Sequence, residues 1–146
     1  MRYRTIHTLV CFLLLMAANI QADNLTQPVS LVPCPVSIVP GTGNFHFSEE
    51  TTFAVENEEQ AVEVRRFTAL LTRAAGFTPR IKVGNKKGDV CLTTDVGLKE
   101  EAYKLEITAK RINIHAADVQ GFFYALQSIR QLLPAAIEGG QVVTGI

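Results

Sequence analysis

The chain has 146 residues, 47% of them apolar and 19% charged, which excludes a disordered polymer and fits one globular domain. Its 14 basic and 14 acidic residues cancel, so nothing in the net charge suggests an electrostatic grip on nucleic acid or acidic lipid.

The chain opens as an export signal. Arg2 and Arg4 form a short basic region, Leu9 to Ala18 is an unbroken apolar run, and Ile20-Gln-Ala22 offers the small or aliphatic residues that a signal peptidase reads. Residues 1–22 are therefore read as a signal peptide cleaved after Ala22. The destination is the periplasm or the exterior, with no membrane attachment after cleavage. The apolar run falls short of the roughly 20 residues that span a bilayer. Residues 23–30 form a polar linker that carries an Asn24-Leu-Thr26 sequon. Export would leave Cys34 and Cys91 in an oxidising compartment, where two readings stay open: a disulfide, or two half-buried strand thiols.

Leu31-Val-Pro-Cys-Pro-Val-Ser-Ile-Val-Pro40 loses three backbone donors to proline. That permits an edge strand or an extended lead-in, not a central strand. After a turn at Gly41-Thr-Gly43, Phe45 and Phe47 alternate with polar residues, and Thr51 to Val55 is β-branched and aromatic, so each predicts a short strand. Asn57 is placed to cap a helix, with Glu58 and Glu59 where the helix dipole favours negative charge. Val64, Phe67, Leu71 and Ala74 form its apolar stripe, widened by Leu70, and Gly76 ends it. Arg65, Arg66 and Arg73 fall mainly off the stripe and read as a solvated face.

Ile81 and Val83 predict a strand that turns through Gly84-Asn-Lys-Lys-Gly88 and returns as Asp89 to Thr94. A strand follows that glycine–lysine turn, whereas a phosphate loop needs a helix there. Tyr103, Leu105 and Ile107, then Ile112 and Ile114, alternate with polar residues on either side of Ala109-Lys110, predicting a β-hairpin with one apolar face. Asp118 then caps a helix whose Val119, Phe122, Leu126, Ile129 and Leu133 share one face, and Pro134 stops it. Phe123, Ala125 and Leu132 widen that apolar arc, which implies neighbours on more than one side. The fold class is α+β: an antiparallel or mixed sheet with two helices packed on one face. Gln141-Val-Val-Thr-Gly-Ile146 looks like the start of a further element, so residues 139–146 read as a truncated continuation of a domain at 31–138.

No chemistry is spelled out. His46, His115, Cys34 and Cys91 lack metal-ligand spacing, and no nucleotide or nucleophile motif occurs. The pairs Glu49-Glu50, Glu58-Glu59 and Glu100-Glu101 sit in turns and at a helix start rather than in a cleft.

Glu101-Ala-Tyr-Lys-Leu-Glu-Ile-Thr108, Ile112-Asn-Ile-His-Ala-Ala117 and Asp118-Val-Gln-Gly-Phe-Phe-Tyr-Ala-Leu-Gln-Ser-Ile-Arg-Gln-Leu-Leu-Pro134 closely resemble the N-terminal, non-catalytic domain of family-20 glycoside hydrolases, the β-N-acetylhexosaminidases. Leu31-Val-Pro-Cys-Pro-Val36 and Gly41-Thr-Gly-Asn-Phe45 resemble that domain's opening. Ala125, Ser128 and Cys34 are mild departures. The resemblance implies a secreted enzyme that releases terminal N-acetylhexosamine, with a (β/α)8 barrel following this domain in the same polypeptide. It also implies that the barrel covers the apolar helix face including Phe122, Phe123, Leu126, Ile129 and Leu132. The family's catalytic Asp-Glu pair belongs to the barrel, and no Asp-Glu dipeptide occurs in this chain. No catalytic, cofactor-binding or metal-binding residue is therefore assigned, and the chain alone is expected to be inactive. Two other readings are an accessory domain of a family-84 type N-acetylglucosaminidase and a stand-alone secreted interaction module.

Overall fold

The computed structural model describes residues 30–139. The expected signal peptide, the sequon at Asn24 and the tail from Gly140 lie outside the described residues, as does the linker apart from Ser30. The elements run β1 (Thr52–Val55), α1 (Glu58–Ala75), β2 (Arg80–Val83), β3 (Val90–Thr94), β4 (Tyr103–Ile107), β5 (Ile112–Ala116) and α2 (Val119–Leu132), followed by a 3-10 turn at Ala135–Gly139. The five strands form one mixed sheet in the order β2-β1-β3-β5-β4. β1 is parallel to both β2 and β3, β3 is parallel to β5, and β4 closes the edge antiparallel to β5.

Both helices cover the same face of this sheet, α1 over β1 and β2 and α2 over β4 and β5, and they pack on each other. Phe53 and Val55 of β1, Val90 and Leu92 of β3, and Ile112, Ile114 and Ala116 of β5 all point into the core. That is the period-two pattern of a sheet with one greasy side. Val64, Phe67, Leu70, Leu71 and Ala74 meet them from α1, and Phe122, Ala125, Leu126 and Ile129 from α2. Helix α1 begins as expected: the Asn57 side chain accepts from the Gln60 N–H at 2.9 Å, and Gly76 ends the helix in the left-handed region at φ 78°. An asparagine cap of this kind is worth about 1 kcal/mol. Leu133 turns extended before Pro134, ending α2 where the proline requires.

Two sequence expectations are corrected. Phe45 and Phe47 join no ladder; they alternate half-buried and buried along an irregular segment, which matches a strand's pattern without its hydrogen bonds. Phe47 instead stacks on Phe53 at 6.2 Å and tilts against Phe67 at 5.9 Å, so its role is to seal the core. Likewise β2 and β3 do not form a hairpin. β1 lies between them, and the Gly84–Asp89 connection crosses back over β1. The reason is visible at two residues. Asp89 holds the Thr52 backbone from both sides, donating to its C=O and accepting from its N–H, each at 2.9 Å. Gly88 then lies flat on β1, where a Cβ would meet the Thr52 carbonyl at 2.7 Å and the Ala54 methyl at 3.0 Å. Only glycine lets the chain pass so close.

Leu31 to Pro40 likewise joins no strand. Cys34 and Cys91 are both free thiols: Cys34 is exposed on that segment, and Cys91 is half-buried with its Sγ on the Gly88 carbonyl at 3.3 Å.

Gly88→Ala tests the crossover. It should cost about 1–3 kcal/mol by overpacking, read as a lower urea midpoint with an unchanged slope. A midpoint equal to that of the parent chain would contradict the packing of this loop on β1.

Candidate functional site

None of the three carboxylate pairs is buried. Glu49-Glu50, Glu58-Glu59 and Glu100-Glu101 are all exposed, on a turn, a first helical turn and a second turn respectively. Glu58 is drawn to Arg65 at 2.7 Å rather than into a cleft. Glu101 is the one non-glycine residue with positive φ among those described, at 63°, and its N–H is held by the Asp118 carboxylate at 2.9 Å. Among the described residues, no three His, Cys, Asp or Glu side chains gather where a metal could bind. No described helix is long and apolar enough to cross a membrane.

The most elaborate polar cluster lies where parallel sheets usually bind ligands, beyond the carboxyl ends of β1 and β3. Glu56 follows β1 directly, and its carboxylate accepts from the Thr94 N–H at 2.9 Å and from the Gln60 amide at 3.3 Å. Gln60 is fully buried, accepts from the Glu56 N–H at 2.8 Å and donates to the Thr94 hydroxyl at 3.2 Å. Hydrogen bonding from Thr94, helped by Gln60 and by the charge of Lys86, outweighs burial and holds the Glu56 carboxyl below the usual carboxylate range. Every partner in this cluster is another member of it, and no buried side-chain N or O among the described residues lacks a partner. The cluster therefore ties β1, α1 and β3 together. Its sequence signal was the Asn57-Glu-Glu-Gln60 spacing, in which a glutamine three residues after the cap reaches back over the helix start.

The other candidate is the outer side of α2. The arc expected to be covered by a barrel is only partly available, which is a correction. Phe122, Leu126 and Ile129 face inward and are buried in the domain's own core. The second neighbour implied by the wide apolar arc is α1, packed alongside. What faces outward is Gln120, Tyr124, Gln127 and Gln131, spaced along one stripe. Half-buried Phe123 and exposed Leu132 sit on its two flanks. Arg130 is the only charge on this helix, and Glu138 holds its guanidinium through two hydrogen bonds, at 2.5 and 2.6 Å. That contact keeps the Glu138 carboxyl below its ordinary range. By contrast, the exposed side of α1 carries Arg65, Arg66, Arg73 and Glu59.

Gln131 has a second role that no local pattern announces. Its amide accepts from the Val32 N–H and donates to the Val32 C=O, both at 2.9 Å, pinning the lead-in segment to the end of α2. The partners are 99 residues apart in sequence.

Residues 28–145 match the family model described as glycosyl hydrolase family 20, domain 2. The chain is similar to a β-hexosaminidase of Porphyromonas gingivalis, 27% identical over 142 residues, covering 91% of this chain and 18% of that protein. It is also similar to a lacto-N-biosidase of Bifidobacterium bifidum, 30% identical over 115 residues, covering 75% of this chain and 10% of that one. Among solved structures, the Streptomyces plicatus N-acetyl-β-hexosaminidase in complex with thio-NAglucal superposes with a TM-score of 0.72 at 27% identity, covering 81% of this chain and 24% of its own. The chain thus spans no more than 24% of any of these relatives. It belongs to glycosyl hydrolase family 20.

The Glu56 cluster carries a pH signature. Its carboxyl titrates lower in the folded chain than the ordinary value of 4.5, so its contribution to stability is complete at neutral pH. That contribution begins to fall as pH drops through the ordinary value and is gone below the folded one. Glu56→Gln should therefore flatten the acid limb of a stability–pH curve. Parallel acid limbs for variant and parent would contradict the role given to Glu56.

Proposed function

We propose that this chain is the accessory domain of a secreted β-N-acetylhexosaminidase, lacks hydrolytic activity alone, and packs beside a catalytic barrel that follows it in the same polypeptide. The observation that carries this reading is the match to domain 2 of the family across a stretch in which no three acidic, His or Cys side chains gather among the described residues. Even where the substrate's own acetamide serves as the nucleophile, as in this family, hydrolysis of a glycosidic bond needs a carboxyl group positioned in a cleft as acid and base. The carboxylates here are spent on helix caps, turns and surface pairs. Tyr124 and its glutamine neighbours give α2 an outward face free of charge, the composition of a surface that meets protein. Phe123 and Leu132, at its flanks, remain available to a neighbour, whereas Phe122, Leu126 and Ile129 do not.

Secretion rests on the basic start at Arg2 and Arg4, the apolar run Leu9 to Ala18 and the cleavage pattern ending at Ala22. The substrate class follows from the similar proteins, which carry the names β-hexosaminidase and N-acetyl-β-hexosaminidase. The barrel's reaction is the removal of terminal N-acetylhexosamine, and the domain's share in it is structural.

Residues 23–146, purified and incubated with a chromogenic N-acetylglucosaminide, should release no chromophore above the enzyme-free blank. Turnover that co-purifies with the chain and survives a second chromatographic step would overturn the reading.

A further inference from the structure

From Asn24 to Ser48 the chain runs 25 residues without a single Asp, Glu, Lys or Arg, although 19% of the whole is charged. Its described part does not hide from solvent. Val32 is 76% exposed, Val39 88% and Val36 fully so, with Ile38 partly exposed between them. An extended, proline-studded segment that leaves four aliphatic side chains in water gains nothing from that exposure, and charge is what usually keeps such a segment solvated. Depletion of charge together with exposed aliphatic groups is instead the composition of an interface core.

The position of this strap says what meets it. Gln131 fastens Val32 to the last turn of α2. Gln131 lies seven residues after Tyr124, two helical turns along the same outward stripe, so the strap continues the uncharged face of α2 directly. The described chain also leaves from here: Arg130, next to Gln131, grips Glu138 in the 3-10 turn that ends at Gly139. Ser30 and Glu138 line one groove with Gln127, Gln131 and Pro134. The last described residues therefore lie close to Gln131, the residue that fastens the strap.

We infer that the strap Leu31–Pro40 is a docking surface for the protein domain that follows this one in the same polypeptide, continuous with the outward face of α2. The inference rests on the accessory-domain reading and extends it to a segment outside the helices. The occupant is a folded protein surface of matching apolar character. Two features favour it over a second copy of this chain: the last described residues are held to the end of α2 beside Gln131, which fastens the strap, and the family relatives extend far beyond this domain.

Cys34 supplies the probe, because it lies exposed in the middle of the strap, while half-buried Cys91 lies on the opposite face of the sheet. Labelling by a small maleimide is followed by peptide mass spectrometry, first in the 146-residue chain at a concentration where it is monomeric. The same is done in the longer product of its gene that includes the following domain. Cys34 should react at least about tenfold more slowly in the longer product, since a thiol's rate follows its access. Cys91 should react at the same rate in both. Tyr124→Cys, with Gln127→Cys as a substitute if the first misfolds, reports separately on the helix face. Protection of both the helix probe and Cys34 upholds the inference. Protection of the helix probe alone removes the strap and leaves the accessory-domain reading standing, and protection of neither removes both. Cys34 already slow in the short chain, with the mass of a dimer, would assign the strap to a second copy and overturn the inference, as would a reading frame that closes at Ile146.

Discussion

Strand β1 is covered on both sides: the helices lie over Phe53 and Val55, and the Gly84–Asp89 crossover lies over Ala54. All four of its residues are buried. A strand in that position must have its backbone groups satisfied within the sheet, and β1 does so by running parallel to β2 on one side and β3 on the other. Parallel neighbours cannot be joined by tight hairpins. The β1-to-β2 link is accordingly the long helix α1, and the β2-to-β3 link is a loop folded over the sheet's outer face. Asp89 and Gly88 exist in their places because of that requirement, and so does the Glu56–Gln60–Thr94 tie at the far end of the same strand.

With β1 fixed, the two helices have no choice of face. They share one side of the sheet and seal it against each other, with Phe47 and Ile137 plugging its margins. The core is then complete within the domain. This shapes the functional argument, because a domain that closes its own core presents to any partner only what is left over. What is left over on α2 is a charge-free stripe of glutamines around Tyr124, and beside it a charge-free strap held by Gln131. Neither carries a carboxylate, and both suit contact with another protein surface. Membership in a glycosidase family is therefore compatible with the exposed, turn-bound carboxylate pairs among the described residues.

Local patterns read well where the local physics decided the outcome. The caps at Asn57 and Asp118, the stripe from Val64 to Ala74, the hairpin around Ala109-Lys110 and the stop at Pro134 each depend on neighbours within a few residues, and the sequence states them. The β2–β3 connection was misread because a short polar turn between two apolar runs fits a hairpin equally well. Only the distant contact of Gly88 with Thr52 decides between the two. Phe45 and Phe47 alternate as a strand does, yet Phe47 packs on Phe53 and Phe67 at the margin of the core without joining either edge strand. The inward side of α2 is visible as a stripe, but nothing local marks α1 as its neighbour, 44 residues earlier from the end of one helix to the start of the other. The Gln131–Val32 bond had no signal at all, since a glutamine side chain on a backbone 99 residues away leaves no spacing to read.

The central claim is that β1 and the two helices close a core that needs nothing beyond this chain. Equilibrium urea unfolding of the purified 146-residue polypeptide, followed in parallel by far-ultraviolet circular dichroism and by tyrosine fluorescence, tests it most directly. The account expects a single cooperative transition with coincident midpoints from the two probes, as a complete small domain gives. A gradual, non-cooperative loss of helix signal, or a fluorescence midpoint well separated from it, would contradict a self-sufficient core.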